Sequence, residues 1–600
     1  MSSKNNNLLL WFFESTQQNS RPTSLLTSFL DDETTFNMFK VNRLFYQNSS
    51  LFNINKQINI KKLIKKRKRE EKEKKEGEKE IEIYNKRIKI KNVIIDSKQY
   101  STLFINNYDL FMNKYRYITS LILNIDIGQK KLILLSKILE KNTNLTSFEL
   151  SNNKKSGFKG IRALSKVLEI NTTLTSLNLE NNLMKNKKTI IILEALKNNN
   201  TLTHVNLSNN GFRYKAAVVL FEVLKQNITL TSLNLAYNIM ANRSGILLSQ
   251  ILETNNNLTY LNLSTNDIGK EGLIALSKAL EKNTTLTFLD LEANHLESIG
   301  LEALANTLKT NTTLNSISLR ENTCEFTALE TLFKALEINK GVYYLNLSAI
   351  NCWDGTMNLF STVIEKNTNI TSLDLSSNNF EEDGIEILSK ALEKNTNITS
   401  LNLSDNDFQK DEIKSLSKAL EKNTSITFLD LSNCAIQEKI EILSKALEIN
   451  NTLTSINLKK NKIGTTGRTR FTGIEALCKV LKTNKNLVSI DLSFNEISYW
   501  DLEKLIEALK VNTTLKFVGL EGNSIQIDEL LLIIDLLENN NNLKCVNLKR
   551  NIGTISLSLL LKLLKKNSTF SSQTSKKYKT EEAEKKALLN ILKLNNRLLL

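Results

Sequence analysis

The feature that most constrains this chain is its period. Aligned on the apolar residue that opens each Leu-x-x-Leu-x-Leu pattern, the anchors are Ile118, Leu145, Leu174, Leu202, Leu230, Leu258, Leu286, Leu314, Val342, Ile370, Ile398, Ile426, Leu453, Leu487, Leu515 and Leu543. Most intervals are 28 residues and the exceptions are 27, 29, 27 and 34, so about 16 units fill residues 118–564. Within a unit, Leu258-Thr-Tyr-Leu261-Asn-Leu263 alternates with the two-residue period of a strand, and Gly272 to Leu280 repeats its apolar residues on one helix face. Each unit therefore predicts strand, turn, helix, turn. Neither element buries its apolar face alone, whereas stacked units share one core. The expected fold is an α/β solenoid, a curved horseshoe with a parallel sheet on the concave side and helices on the convex side. It curves because helices need about 10 Å each and strands about 4.8 Å. With one proline, Pro22, and 18 glycines in 600 residues, the chain lacks the linkers that a string of separate domains would need.

An asparagine closes nearly every strand pattern, as at Asn153, Asn182, Asn210, Asn266, Asn294 and Asn322. Turned into the stack, such a side chain pairs with backbone groups that burial would otherwise leave unsatisfied, so the series is expected to be structural. Ile350 and Cys434 replace the asparagine in two units, which makes Cys434 a small buried group rather than a nucleophile. The unit from Leu258 to Leu280, Leu-x-x-Leu-x-Leu-x-x-Asn followed by an apolar helix face, resembles the long leucine-rich repeat of ribonuclease-inhibitor-like proteins. Similar repeats occur in the sensing regions of intracellular nucleotide-binding immune receptors and in the activators of the Ran GTPase. The resemblance implies the fold and says little about the partner, because these relatives bind unrelated molecules.

The alternation also predicts which strand residues point away from the core. The central outward position is mostly Asn or Asp, including Asp290, Asp374, Asp430 and Asp491, and its flanks are mostly serine. Against that background Tyr260, Phe288, Tyr344, Phe428 and Phe517 are expected to project into the concavity as contact residues for a protein partner. With Glu149, Glu180, Glu292 and Glu521 the aspartates tint this face acidic, which suits a basic protein surface better than nucleic acid.

No reaction chemistry is expected. The carboxylates follow the repeat spacing, and His204 and His295 have no ligand cluster around them. The 34-residue interval inserts Gly464 to Gly473, a basic-aromatic loop without the Gly-Lys-Ser/Thr ending of a phosphate-binding loop. No catalytic residue, metal site or cofactor is assigned, and the expectation is a noncatalytic scaffold. Five scattered cysteines show neither zinc nor disulfide spacing. Sequons such as Asn144-Leu-Thr, Asn171-Thr-Thr, Asn257-Leu-Thr and Asn283-Thr-Thr would become glycan acceptors on a secretory route, so cytoplasmic or nuclear residence is expected. The apolar run Leu8 to Phe13 is too short to span a bilayer and lacks a signal-peptide context.

The formal charge of +17 sits mainly at the ends of the chain. Residues 1–60 contribute +1, residues 61–92 contribute +8 and residues 565–600 contribute +6, leaving +2 for residues 93–564. The expected organisation is a helical segment at 1–60, a basic linker at 61–92, a cap region at 93–117, the repeats at 118–564 and a basic tail or terminal helix at 565–600. Lys61 to Arg69 is similar to a nuclear-import cluster. Residues 22–46 look like a short F-box, in which Pro22, Leu25, Leu26, Phe29, Leu30, Val41 and Phe45 match the pattern. That resemblance implies docking to the Skp1 adaptor of a ubiquitin ligase, with the repeats recruiting the substrate. A Ran-type GTPase regulator is disfavoured by the basic carboxy terminus, and an immune-type sensor by the absence of a nucleotide-binding motif.

Overall fold

The computed structural model describes residues 92–95, 119–350, 355–380, 383–464, 473–525, 527–551 and 598–599. The chain divides into two compact units, one within Asn53–Leu373 and the other within Asp374–Leu600. In the first unit every strand pairs in parallel with the next, from Asn92–Ile95 and Ser120–Asn124 through to Ser316–Ser318 and Tyr344–Asn346. The second unit repeats the arrangement from Ser400–Asn402 through Phe428–Asp430, Ser455–Asn457, Ser489–Asp491 and Phe517–Gly519 to Cys545–Asn547. From Ser120–Asn124 to Cys545–Asn547 a helix separates each strand from its successor, as Gly269–Leu280 does between Tyr260–Asn262 and Phe288–Asp290. The expected cap region thus opens with a strand, and at the far end Leu598–Leu599 pairs in parallel with Val546–Asn547.

Burial follows the two periods of the sequence. Leu258, Leu261 and Leu263 of one strand segment and Leu273, Leu276 and Leu280 of the next helix are at most 1% exposed. Repeating that interlayer contact supplies the main stabilising force, at roughly 25 cal/mol for each Å² of apolar surface removed from water. Glycine enters where helices must approach: a Cβ at Gly245 would stand 2.8 Å from the Gly272 Cα of the adjacent helix.

The asparagine ladder is structural, as its position predicts. Asn294 is fully buried and accepts the backbone N–H groups of Asn266 and Ile268 at 3.0 and 3.1 Å. Its Nδ2 donates to the carbonyls of Leu263 and Glu292 at 2.8 and 3.0 Å. Cys434, also fully buried, fills the same place with its Sγ 3.2 Å from the Leu403 carbonyl oxygen.

A second ladder runs at the opposite end of each repeat, where helix returns to strand. Asn283 donates from Nδ2 to the Leu252 carbonyl at 2.8 Å and accepts from the N–H groups of Thr285 and Leu286 at 3.1 and 2.8 Å. Asn171 accepts from Thr173 and Leu174 in the same way. The recurrent Asn-x-Thr at these positions is therefore a turn signature. Asn283 is 5% exposed, with its amide committed to the stack, so this sequon says nothing about a secretory route.

The residue before each strand-end asparagine adopts a left-handed backbone, whatever its side chain: Asn209, Tyr237, Thr265, Ala293 and Phe494 have φ between 51° and 56°. Such conformations cost on the order of 1 kcal/mol outside glycine. The adjoining ladder hydrogen bonds offset them.

Candidate protein-binding face

Each strand sends one set of side chains into the leucine core and the other onto the open face of the sheet. In-register parallel pairing turns the open face into columns. One column of the first unit runs Ser176, His204, Ser232, Tyr260, Phe288, Ser316, Tyr344, and the next runs Asn178, Asn206, Asn234, Asn262, Asp290, Ser318, Asn346. The second unit carries Phe428 and Phe517 in the first column and Asp430, Asn457 and Asp491 in the second. Asp374 ends the strand Ser372–Asp374.

The aromatic residues occupy the expected column but do not stand out from it. Tyr260, Phe288, Tyr344, Phe428 and Phe517 are only 3–7% exposed. Strands about 4.8 Å apart hold neighbouring side chains against one another. Tyr260 and Phe288 accordingly stack, with centroids 4.2 Å apart and planes 11° from parallel. The expectation of projecting rings is corrected in this respect: they form a flat, stiff floor with little free area each. Tyr237, at the rim in the left-handed position, is 42% exposed and escaped the strand-based reading.

The second column has a structural duty that the sequence reading missed. Its Oδ1 atoms accept the backbone N–H two residues on: Asn206 from Ser208 at 2.9 Å, Asn262 from Ser264 at 2.8 Å, Asp290 from Glu292 at 3.0 Å and Asp430 from Ser432 at 2.8 Å. Asp374 and Asp491 do the same for Ser376 and Ser493. Asparagine and aspartate make this backbone bond equally well, because it uses Oδ1 alone; at Asp374 and Asp430 the second oxygen accepts in addition from Asn402 Nδ2 at 2.9 Å and from Asn457 Nδ2 at 2.7 Å. The difference between them is charge in a half-dry place. Burial raises the carboxyls of Asp290 and Asp430 to about 6, and it also raises those of Asp491, Glu149 and Glu180. Arg320 lies 3.5 Å from Glu292, and Arg550 lies 3.5 Å from Glu521.

Gly519 breaks the second column for a visible reason. A Cβ there would lie 2.1 Å from Oδ1 of Asp491, so the glycine makes room for the neighbouring carboxylate. Gly519→Asn is expected to lower the unfolding free energy by about 2 kcal/mol through overpacking. Urea titrations followed by circular dichroism measure the loss, and an unchanged midpoint would mean that the column admits a side chain there.

His204 and His295 are both exposed, and His295 sits in a turn at φ 54°. Among the described residues no group of three or more His, Cys, Asp or Glu side chains could hold a metal ion. None of their helices is long and apolar enough to cross a membrane. Residues 465–472 of the basic-aromatic loop, residues 22–46 with the F-box-like pattern and the basic segment 61–91 lie outside the described residues.

Parallel in-register strands, an interleaved helix layer and a recurring strand-end asparagine ladder decide the architecture. The fold is a leucine-rich-repeat solenoid. A family profile described as Leucine Rich repeat matches residues 198–221, 254–277, 282–305, 366–389, 394–416, 422–439, 450–471 and 483–505. Among solved structures, the leucine-rich-repeat chain is similar to that of a TLR13–ssRNA13 complex, with 19% identity over 72% of this chain and a TM-score of 0.41. It spans 56% of that chain's length. It is also similar to actin-binding site 2 of leiomodin-1, with 25% identity over 26% of this chain and 88% of that one, at a TM-score of 0.22. No curated protein matches the sequence.

Proposed function

We propose that this leucine-rich-repeat scaffold binds a basic segment of a protein partner on the open face of its sheet and performs no reaction of its own. One observation carries the reading: aspartate stands in a column where asparagine makes the same backbone hydrogen bond through Oδ1 without the desolvation penalty, although at Asp374 and Asp430 the second oxygen also accepts from the neighbouring Asn402 and Asn457. Asp290 and Asp430 therefore hold negative charge at a cost in stability, as functional surfaces commonly do. Each unit brings its own set: Asp290 with the apolar floor of Tyr260, Phe288 and Tyr344 in the first, and Asp374, Asp430 and Asp491 with Phe428 and Phe517 in the second. Lysine or arginine side chains lying along these carboxylates would set orientation and association rate.

Residues 22–46 would give the scaffold its pathway. With the F-box-like residues Pro22, Leu25, Leu26, Phe29, Leu30, Val41 and Phe45 docked on Skp1, the open face becomes the substrate-recruiting surface of a ubiquitin ligase inside the cell, in cytoplasm or nucleus. Purified Skp1 is expected to retain the full chain on a column and to release a chain that lacks residues 1–60. Equal behaviour of the two chains would remove the adaptor role and leave the scaffold reading standing.

A further inference from the structure

Ionisable side chains are unevenly spread along the first unit. Residues 119–225 carry 16 Lys and Arg against 7 Asp and Glu, a net +9, whereas residues 226–373 carry 9 against 14, a net −5. The two blocks largely cancel, so the repeats read as nearly neutral when taken together. Position within the repeat separates them further. The cations of the first block gather at the edge where strand hands over to helix. Lys154 and Lys155 follow the ladder residue Asn153, Lys159 lies in the first turn of Gly157–Ile170, Lys185 and Lys187 open Lys185–Asn198, and Lys215 opens Tyr214–Leu224.

All six are exposed, and none makes an ion pair with a described residue. Later helices neutralise their lysines across repeats instead, as in Lys270 with Glu297 at 2.9 Å and Lys366 with Glu337 at 2.6 Å. The cationic turns are contiguous. Lys188 Nζ stands 5.9 Å from the centre of the Phe158 ring one repeat away, and the Arg213 N–H reaches Oδ1 of Asn186 at 2.8 Å. Helix amino termini add their own partial positive charge along this edge.

Apolar side chains stand out from the same edge. Phe158, Leu183, Tyr214 and Ile239, one from each of four successive repeats, are 47%, 48%, 41% and 52% exposed. Leu183 and Ile239 hold the same place in their repeats, directly after Asn182 and Asn238. A line of apolar tips flanked by unpaired lysines offers both insertion into an interfacial region and attraction to negative headgroups.

We propose that this strand-to-helix edge of residues 154–239 docks the protein on an anionic lipid surface. Leu183 and Ile239 alternate with Phe158 and Tyr214 along the edge, so no two rings occupy adjacent repeats to stack successive bases, which favours lipid over nucleic acid. Lysine acts here as a point charge near the membrane plane, which tolerates the variety of headgroup positions.

The test is sedimentation of the full chain with phosphatidylcholine vesicles, with and without phosphatidylserine. Wild type is expected to partition onto the phosphatidylserine vesicles alone. The variant Lys154→Glu/Lys155→Glu/Lys185→Glu/Lys187→Glu should lose at least about tenfold in partitioning at physiological salt. Leu183→Ser/Ile239→Ser should also partition less, with all charges retained and circular dichroism unchanged. Residues 61–92 and 565–600 stay in every variant, so the differences report on the edge itself. Failure of wild type to sediment, or equal sedimentation of wild type and either variant, overturns the proposal. So does binding of single-stranded RNA that the lysine variant loses and the serine variant keeps without any vesicle partitioning, which would assign the edge to nucleic acid.

Discussion

Replacing Asn294 by alanine is expected to lower the unfolding free energy by about 3–5 kcal/mol, more than removal of an equally sized surface side chain. The substitution orphans the N–H groups of Asn266 and Ile268, whereas the carbonyls of Leu263 and Glu292 lose one donor each and keep Asn266 Nδ2 at 3.0 Å and the Thr265 N–H at 2.7 Å. Each buried orphan costs about 1–3 kcal/mol, and the fully buried position gives water no route to the site. Asn294→Cys should lose less. Cys434 shows how a thiol fits there, with the Leu403 carbonyl as its partner. Urea titrations of the full chain, followed by circular dichroism, give the order wild type, cysteine variant, alanine variant. A loss under about 1 kcal/mol for alanine would mean that the ladder is not what satisfies the turn.

The second large effect has the opposite sign. Asp290→Asn/Asp430→Asn is expected to stabilise the protein by about 1–2 kcal/mol at pH 7.5, most of it from site 290, because the buried charges go and the Oδ1 bonds survive, while at 430 an amide replaces the oxygen that accepts from Asn457 Nδ2 at 2.7 Å. The pH dependence follows from the raised carboxyls. Both groups titrate at about 6 in the folded chain against an ordinary 3.8. Between those values the folded protein keeps a proton that the unfolded chain has released. Wild-type stability therefore falls as pH rises through this window, and the full penalty is present above pH 6. The variant lacks that slope, so its advantage should shrink steadily toward pH 4. An advantage that persists undiminished at low pH would place its cause elsewhere than in these carboxyls.

The repeat, its two elements and the strand-end asparagine were legible because each depends on spacing alone. A 28-residue period with leucines at strand and helix positions admits one arrangement of buried faces. Side-chain exposure on the open face was not legible in the same way. Alternation tells which way Tyr260 and Phe288 point, whereas their 4.2 Å stacking depends on how closely the strands pack. The duty of the second column was hidden for a different reason. Asn206, Asp290 and their counterparts look like bland surface residues, yet the shared feature is one acceptor oxygen two residues before a buried N–H. The second ladder could have been found. Asn171, Asn199, Asn227, Asn255 and Asn283 keep the repeat spacing, but a familiar sequon pattern drew attention from their geometry.

The uneven charge of the first unit was likewise present in the sequence and lost in the summation. Residues 119–225 and 226–373 have opposite signs, and adding them conceals both. Only the structure shows that the unpaired lysines share an edge with Phe158, Leu183, Tyr214 and Ile239.

Affinity for the partner recovered on the open face, measured by calorimetry on wild type and on Asp290→Asn/Asp430→Asn/Asp491→Asn, tests the central claim most directly. The account predicts that the variant melts at a higher temperature and binds at least about tenfold more weakly, a combination that misfolding cannot produce. Unchanged affinity in the stabilised variant would contradict it, since the carboxylates would then carry their desolvation penalty without serving recognition.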